Sequence, residues 1–319
     1  MPTVVIAHAI FDDLTIEEEV LSTIGATIVQ TGNLSTPEAL EVVKEADALM
    51  IALEIVSAEL LASMKRCRIV SRLGIGIDNI DVDAATECGI WAANVPDYSV
   101  DEVSTHAIAF LLAHARRLPR MIDMTRQGTW GREPIYPIRR LKGQRLGLLG
   151  FGRIGRAVAV KAQGLGLEVT ACDPYLAAET LEAAGVQPVD WETLLRTSDY
   201  ISLHASLTDE THQIVGAKAL SLMKPTAFLI NTGRGALIDE DALLQAIRSD
   251  QIAGAALDVL TVEPYPPEHP LLCEERVWVT PHLACYSEEA DVDVRVRAAQ
   301  EVVQVLQGEK PRSPVNQIT

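Results

Sequence analysis

Arg234, Glu263 and His282 have the types and the placement for acid–base chemistry. Each follows a short apolar run. Arg234 sits in Asn231-Thr232-Gly233-Arg234-Gly235 after Ala227 to Asn231, Glu263 follows Asp258-Val259-Leu260-Thr261-Val262, and His282 follows Val279-Thr280-Pro281. In an open parallel sheet the carboxyl ends of the strands face the ligand crevice, so the three side chains can converge there. An imidazole beside a carboxylate can pass a proton to or from a reacting oxygen, and a guanidinium can polarise a carbonyl. Taken singly, each also has an ordinary reading: a surface salt-bridge arginine, a surface glutamate before Pro264, a hydrogen-bonded histidine.

A second constellation precedes these three. Leu146-Gly147-Leu148-Leu149 runs into Gly150-Phe151-Gly152-Arg153-Ile154-Gly155, and Arg156-Ala157-Val158-Ala159-Val160-Lys161 continues as a helix. G-x-G-x-x-G is a weak signal alone, but a strand before it and a helix after it are what dinucleotide binding requires. Gly150 makes the tight turn, Gly152 lets the backbone approach a pyrophosphate, and Gly155 lets helix and strand pack closely. The phosphates then sit on the helix N-terminus, at Arg153 and Ile154. Asp173 lies eighteen residues past Gly155, at the end of the next strand. A carboxylate there accepts hydrogen bonds from the ribose hydroxyls and repels a 2′-phosphate, and Pro174-Tyr175 follows instead of an arginine, so NAD is expected over NADP. The plainer alternative keeps the glycines for packing and Asp173 for a helix cap.

Another glycine pair, Leu73-Gly74-Ile75-Gly76, follows the strand Arg68 to Val70, but its third position is Asn79, which argues against a second dinucleotide site. Paired glycines at a strand end can still aim backbone N–H groups at a small carboxylate, with Arg72 supplying charge. A turn with a surface arginine is the competing reading.

The elements that must position these residues alternate. Strands are expected at 4–7, 26–29, 48–51, 68–70 and 90–93, with helical stretches such as Thr36 to Ala46 between them. Ser99-Val100-Asp101-Glu102 has capping-box spacing and opens a long apolar helix through about Leu118. An irregular stretch with Gly128, Gly131, Pro134 and Pro137 follows. Further strands are expected at 145–149, 168–172, 200–204, 227–231, 255–259 and 277–280. A last helix spans Ser287 to Leu306, with Ala299, Val302, Val303 and Leu306 on one face and Gly308 and Pro311 ending it. This pattern predicts two α/β units with parallel sheets. One covers 100–286; the other covers 1–99 and is completed by the closing segment 287–319.

Composition narrows the function. The chain has 319 residues, 48% hydrophobic and 22% charged, which excludes a disordered or collagen-like protein and leaves room for two cores. A formal charge of −17 argues against nucleic acid as a partner. No apolar run is long enough for a membrane helix, and MPTVVIAHAIFDD lacks a leader's basic start and cleavage site, so the protein is expected in the cytoplasm and off membranes. Five scattered cysteines and seven histidines form neither a disulfide framework nor a metal-ligand spacing, so reduced thiols and no metal are expected.

Taken together, Gly150 to Gly155, Met223-Lys224-Pro225 through Gly235, Ala255 to Val259 through Glu263-Pro264, and Thr280-Pro281-His282 resemble the NAD-dependent D-isomer-specific 2-hydroxyacid dehydrogenases over essentially the whole chain. The resemblance implies a Rossmann NAD domain inserted into a flavodoxin-like substrate domain, and a homodimer joined through the NAD domain. It implies catalysis by Arg234, Glu263 and His282, with Asp258 holding the nicotinamide carboxamide. Further cofactor contacts are implied at Ala205, Ser206, Leu207, Thr211, Thr232, Gly233, Arg234, His282 and Ala284. The substrate carboxylate is implied to meet Arg72 and the backbone at Ile75-Gly76, and the reacting end Arg234 and His282. On this reading protonated His282 donates a proton to the keto oxygen as hydride arrives, Glu263 holds the ring, and Arg234 polarises the carbonyl.

Asn94-Val95-Pro96, Asp173-Pro174-Tyr175-Leu176 and Tyr286-Ser287-Glu288 most resemble the branch that contains the C-terminal-binding-protein corepressors. That likeness raises an alternative, an NAD(H)-sensing binding protein. Cys285 stands where those corepressors carry a tryptophan, so their ligand preference is not carried over. Formate or phosphite as donor is a remoter alternative. Side-chain selection is expected from residues 52–54, 72–76, Tyr98 and Cys285–Tyr286.

Overall fold

The computed structural model describes residues 1–7, 10, 11, 13–32, 34, 36–131 and 137–318; Pro134 of the irregular stretch lies outside them. The chain divides into two units, Met1–Tyr98 with Ser287–Thr319, and Ser99–Tyr286.

In the first unit five strands, β1 (Thr3–Ala7), β2 (Thr27–Gln30), β3 (Ala48–Ile51), β4 (Ile69–Arg72) and β5 (Trp91–Ala93), form a sheet in the order β2-β1-β3-β4-β5. All pairings are parallel, with Val4 opposite both Ile28 and Ala48. The central strands are buried along their length, as a sheet covered on both faces demands. Helices α1 (Thr15–Ser22), α2 (Pro37–Lys44), α3 (Ala58–Ser63) and α4 (Val82–Glu87) connect them. Polar caps start three of these: Thr36 Oγ1 accepts from Ala39 N, Ser57 Oγ from Leu60 N and Asp81 from Ala84 N.

The second unit opens with α5 (Val100–Ala115) and α6 (Leu118–Arg126). Two expectations fail here. The Ser99 side chain makes no cap; its buried Oγ has no partner among the described residues, because Ser99 enters the helix at φ −126° and ψ 26° and not in the extended conformation of a capping residue. The long helix also breaks before Leu118. Arg117 takes φ 51°, and Pro119 starts a new helix in its first turn. The sheet then follows: β6 (Arg145–Leu149), α7 (Arg153–Gly164), β7 (Glu168–Cys172), α8 (Ala178–Glu182), β8 (Gln187–Pro188), α9 (Trp191–Thr197), β9 (Tyr200–Leu203), α10 (Ala217–Leu222), β10 (Phe228–Asn231), α11 (Glu240–Arg248), β11 (Gly254–Leu257) and β12 (Val277–Val279). The order β12-β11-β10-β9-β6-β7-β8 is parallel throughout and reverses between β6 and β9, a doubly wound sheet. Strand β8, two residues at the edge, has no counterpart among the expected strands.

The last helix, α12 (Glu288–Leu306), belongs to the first unit. Ser287 Oγ caps it at Ala290 N, and Val294, Ala298, Val302 and Val305 are buried along one stripe. Ser71 Oγ of β4 donates to Ala298 O at 2.9 Å, and buried Arg295 pairs with Glu17 of α1.

Candidate active site

The expected site residues fall into both units. Arg72, Ile75 and Gly76 lie in the first, with residues 52–54, 73, 74 and Tyr98 expected to select the side chain; the catalytic and cofactor-binding residues, with Cys285 and Tyr286, lie in the second.

In the second unit the reversal between β6 and β9 brings the glycine loop against His204-Ala205. Gly150 has φ 88°, and a Cβ on it would fall 2.7 Å from Ala205 N, so no other residue fits this turn. A Cβ on Gly155 would strike Gly150 O at 2.4 Å, whereas one on Gly152 meets nothing within 4 Å. Gly152 precedes α7, and no side chain caps that helix, so Arg153 and Ile154 present its first N–H groups to an open cradle suited to an anion. The Asp173 carboxylate accepts from Phe151 N at 2.8 Å and Tyr175 N at 3.1 Å, tying the loop to the end of β7. Ionised carboxylate oxygens have further lone pairs for ribose hydroxyls. Among Ala205, Ser206, Leu207 and Thr211, the loop after β9 is set by Thr211, whose hydroxyl donates to Ser206 O. Thr232 Oγ1 is buried without a partner among the described residues, a polar atom that a bound group can satisfy. Open cradle, carboxylate and orphaned hydroxyl all fit a dinucleotide.

The loop after β10 is clipped by Asn231, a fully buried side chain to which sequence alone assigns no role. Its Nδ2 donates to Arg234 O at 2.8 Å, and its Oδ1 accepts from Gly233 N at 3.0 Å. Gly235 packs on the backbone of Leu260 and Thr261 so closely that a Cβ would fall 2.0 Å from Leu260 C. The loops of Arg234 and Glu263 therefore interlock. Glu240 at the start of α11 secures the second loop, accepting from Thr261 N at 2.6 Å and pairing with His269 at 3.1 Å.

Glu263 and His282 are paired directly. Glu263 Oε2 lies 2.5 Å from His282 Nδ1, and Oε1 accepts from Leu260 N at 2.9 Å. Burial pushes the Glu263 carboxyl up, but the hydrogen bond and charge of His282, the Leu260 amide and the Arg234 guanidinium outweigh it and hold the group below the usual carboxylate range. A carboxylate at Nδ1 fixes the ring so that Nε2 is the nitrogen for proton exchange. His282 itself sits at φ 56°, and its N–H donates to Asp258 O at 2.8 Å.

Asp258 is 2% exposed, and its carboxylate holds the loop that carries His282. Oδ1 accepts from Thr280 Oγ1 at 2.5 Å and Leu283 N at 3.1 Å, and Oδ2 from Ala284 N at 2.8 Å. It anchors the loop of His282 from both sides, a task not foreseen from sequence. The Thr280 hydroxyl gives its one hydrogen to Asp258, so in its 3.2 Å contact with His106 Nε2 the hydroxyl oxygen is the acceptor and the ring N–H the donor.

In the first unit Arg72 is buried, not a surface arginine, and its Nε donates to Ala52 O at 3.1 Å. Asn94 Nδ2 donates to Ile75 O at 2.6 Å, Asn79 Nδ2 to Ala52 O at 3.3 Å and Glu54 O at 2.8 Å, and Gly76 is half-buried in the same turn. Asn79, read from sequence only as a missing glycine, thus joins the loops after β3 and β4. No group of three or more His, Cys, Asp or Glu among the described residues could hold a metal, and no described helix is long and apolar enough to cross a membrane.

Residues 108–284 match the family model for the NAD-binding domain of D-isomer specific 2-hydroxyacid dehydrogenases. The chain is 40% identical over 284 residues to a glyoxylate reductase of Thermococcus litoralis, covering 87% of this chain and 86% of that protein. It is 38% identical over 300 residues to a D-3-phosphoglycerate dehydrogenase of Methanocaldococcus jannaschii, covering 93% of this chain but 57% of the relative, so it spans little more than half that enzyme's length. A solved D-lactate dehydrogenase of Aquifex aeolicus, complexed with NAD and lactic acid, superposes with a TM-score of 0.88 at 29% identity, covering 96% of each chain.

Proposed function

This chain belongs to the D-isomer-specific 2-hydroxyacid dehydrogenase family, and we propose that it interconverts a small 2-keto acid and its D-2-hydroxy acid with His282 as general acid and base. NAD is the cofactor; when bound in its reduced form it supplies the hydride. Arg153, Ile154 and the open cradle at Gly152 take its phosphates, Asp173 its ribose, and Thr232 and the loop after β9 line it. The keto oxygen gains a proton from His282 Nε2 during reduction, and oxidation runs the same transfer backwards with the neutral ring. Glu263 fixes the ring through Nδ1 and compensates its charge. Arg234 polarises the carbonyl, and Arg72 with the Ile75-Gly76 backbone takes the substrate carboxylate.

The observation that carries this reading is the 2.5 Å pairing of Glu263 with His282, interlocked through Gly235 with the Arg234 loop and built on the same sheet as the glycine loop. The test is NADH oxidation by the purified protein against glyoxylate, hydroxypyruvate, pyruvate, phenylpyruvate and branched 2-keto acids. Turnover of at least one is expected; none with any of them refutes the proposal. Five free thiols suit a reducing compartment such as the cytoplasm. Helix α6 buries none of its residues and leaves Leu118 and Ile122 exposed, which supports a homodimer through this unit; a monomeric mass by light scattering would refute that assembly.

A further inference from the structure

We propose that the substrate's side chain is apolar and uncharged, and that Glu54 excludes 2-keto acids bearing a second anionic group; this rests on the reading of the chain as a 2-keto acid reductase. The first unit's sheet reverses direction between β1 and β3, the place where an open α/β sheet binds its ligand. There the chain leaves β3 through Ala52-Leu53-Glu54-Ile55, beside Arg72 at the end of the neighbouring β4. The bonds from Arg72 and Asn79 to Ala52 O, and from Asn79 to Glu54 O, join these segments into one surface.

Adjacent backbone N–H groups at a strand end are natural donors to a phosphoryl or carboxylate oxygen. Here they are taken. Ala52 N and Leu53 N both donate to Glu54 Oε2, at 2.8 and 3.1 Å. The loop's own carboxylate occupies the anion position, so a second anionic group on a substrate meets filled donors and a charge of its own sign. Available positive charge is scarce as well. The segments that follow the five strands of this sheet contain no lysine or arginine, and the α12 cations that meet them are already paired, Arg295 with Glu17 and Arg297 with Asp97. Arg72 is engaged by the carboxylate that every 2-keto acid carries. What the loop does offer is apolar: Leu53 is 59% exposed and Ile55 74% exposed, flanking Glu54. Polar groups are few and spoken for, and the surface left for contact is aliphatic, as for an alkyl chain.

The experiment compares kcat/KM of the full chain with NADH for 4-methyl-2-oxopentanoate, 2-oxoglutarate and 3-phosphohydroxypyruvate, in wild type and Glu54→Gln. Glutamine keeps an oxygen that can accept from both amides and removes the charge. Wild type is expected to favour the uncharged acid over either anionic one by roughly a hundredfold, since like-charge placement is a strong means of rejection. Glu54→Gln is expected to narrow that ratio about tenfold, chiefly through KM for the anionic acids. Wild type using 3-phosphohydroxypyruvate or 2-oxoglutarate as well as 4-methyl-2-oxopentanoate overturns the proposal, whatever the variant does. An unmoved ratio in a folded variant removes Glu54 from it. Failure of wild type to oxidise NADH with any keto acid, while binding NADH, overturns the reductase reading itself.

Discussion

Replacing Gly235 by alanine tests whether the acid–base groups depend on the interlock of two loops. The added Cβ would fall 2.0 Å from Leu260 C and 2.3 Å from Leu260 O and Thr261 N. All three are main-chain atoms, so no side-chain rotamer relieves the overlap. Carbon atoms rest at about 3.5 Å, so the loops must part by roughly 1.5 Å. One carries Arg234 and the other Glu263, and a misplacement of about 1 Å can cost on the order of a hundredfold in rate. Overpacking of this kind costs about 1–3 kcal/mol, with each kcal/mol worth about 2–4 °C in Tm for a domain of this size. Gly233→Ala is the internal control for packing. Its Cβ would meet Leu237, Asn231 and Leu203 at 3.4–3.5 Å, so its Tm should barely change. The assay is kcat on the best keto acid from the screen, with NADH binding followed by fluorescence and melting by calorimetry. Gly235→Ala should lose about two orders of magnitude in kcat and several degrees in Tm while still binding NADH. Wild-type kcat in a variant whose Tm has fallen would show that the placement of Arg234 against Glu263 does not govern the chemistry.

Three further outcomes are expected. His282→Ala should lower turnover by roughly 10²–10⁴-fold with NADH binding intact, and near-normal turnover would take His282 out of the proton transfer. Asp173→Ala should weaken NADH and relax the discrimination against NADPH, since it removes the anchor of Phe151 N as well as the ribose acceptor; an unchanged ratio of the two dissociation constants would count against its role. Burial, with the Arg117 charge adding to it, pushes His114 from 6.5 down to about 3. Between those values the unfolded chain binds a proton that the folded chain does not, so this contribution to stability is whole above pH 6.5 and is lost as pH falls. His114→Phe, which keeps the 3.8 Å stack on Phe228, should therefore gain about 2 kcal/mol relative to wild type between pH 7 and pH 5 in chemical denaturation; a difference that does not change with pH refutes this.

What could be foreseen from sequence has a physical pattern. The parallel strands announce themselves because a strand buried on both faces must be largely apolar, as Ala48 to Ile51 and Phe228 to Ile230 are. The glycine loop is legible because its residues are adjacent in the chain, and no Cβ fits at Gly150. The break at Arg117 escaped because neither it nor Arg116 is a helix breaker, though Pro119 was a usable signal. Ser99 shows the reverse failure: the spacing of a capping box was present, but the backbone at Ser99 is not extended. Hidden most completely were the polar links across the chain. Asn79 reaches residues 25 and 27 positions away, and Asp258 reaches residues 22 to 26 positions on. Local pattern cannot reveal such partners, because tertiary packing alone brings them together.

Asp258 shows why such links matter to the chemistry. His282 is one of four described non-glycine residues with positive φ, a conformation that costs energy for a residue with a Cβ. It persists because its surroundings leave it no choice: its own N–H is bound by Asp258 O, and the next two amides, Leu283 N and Ala284 N, are bound by the Asp258 carboxylate. Thr280 on the other side is bound by the same carboxylate. One buried acid thus fixes the backbone before and after the imidazole, while Glu263 fixes the ring itself. The imidazole proposed to transfer the proton is therefore oriented by two carboxylates with separate tasks. A ring held this way reaches the reacting oxygen without first being ordered, which is where preorganisation lowers a barrier.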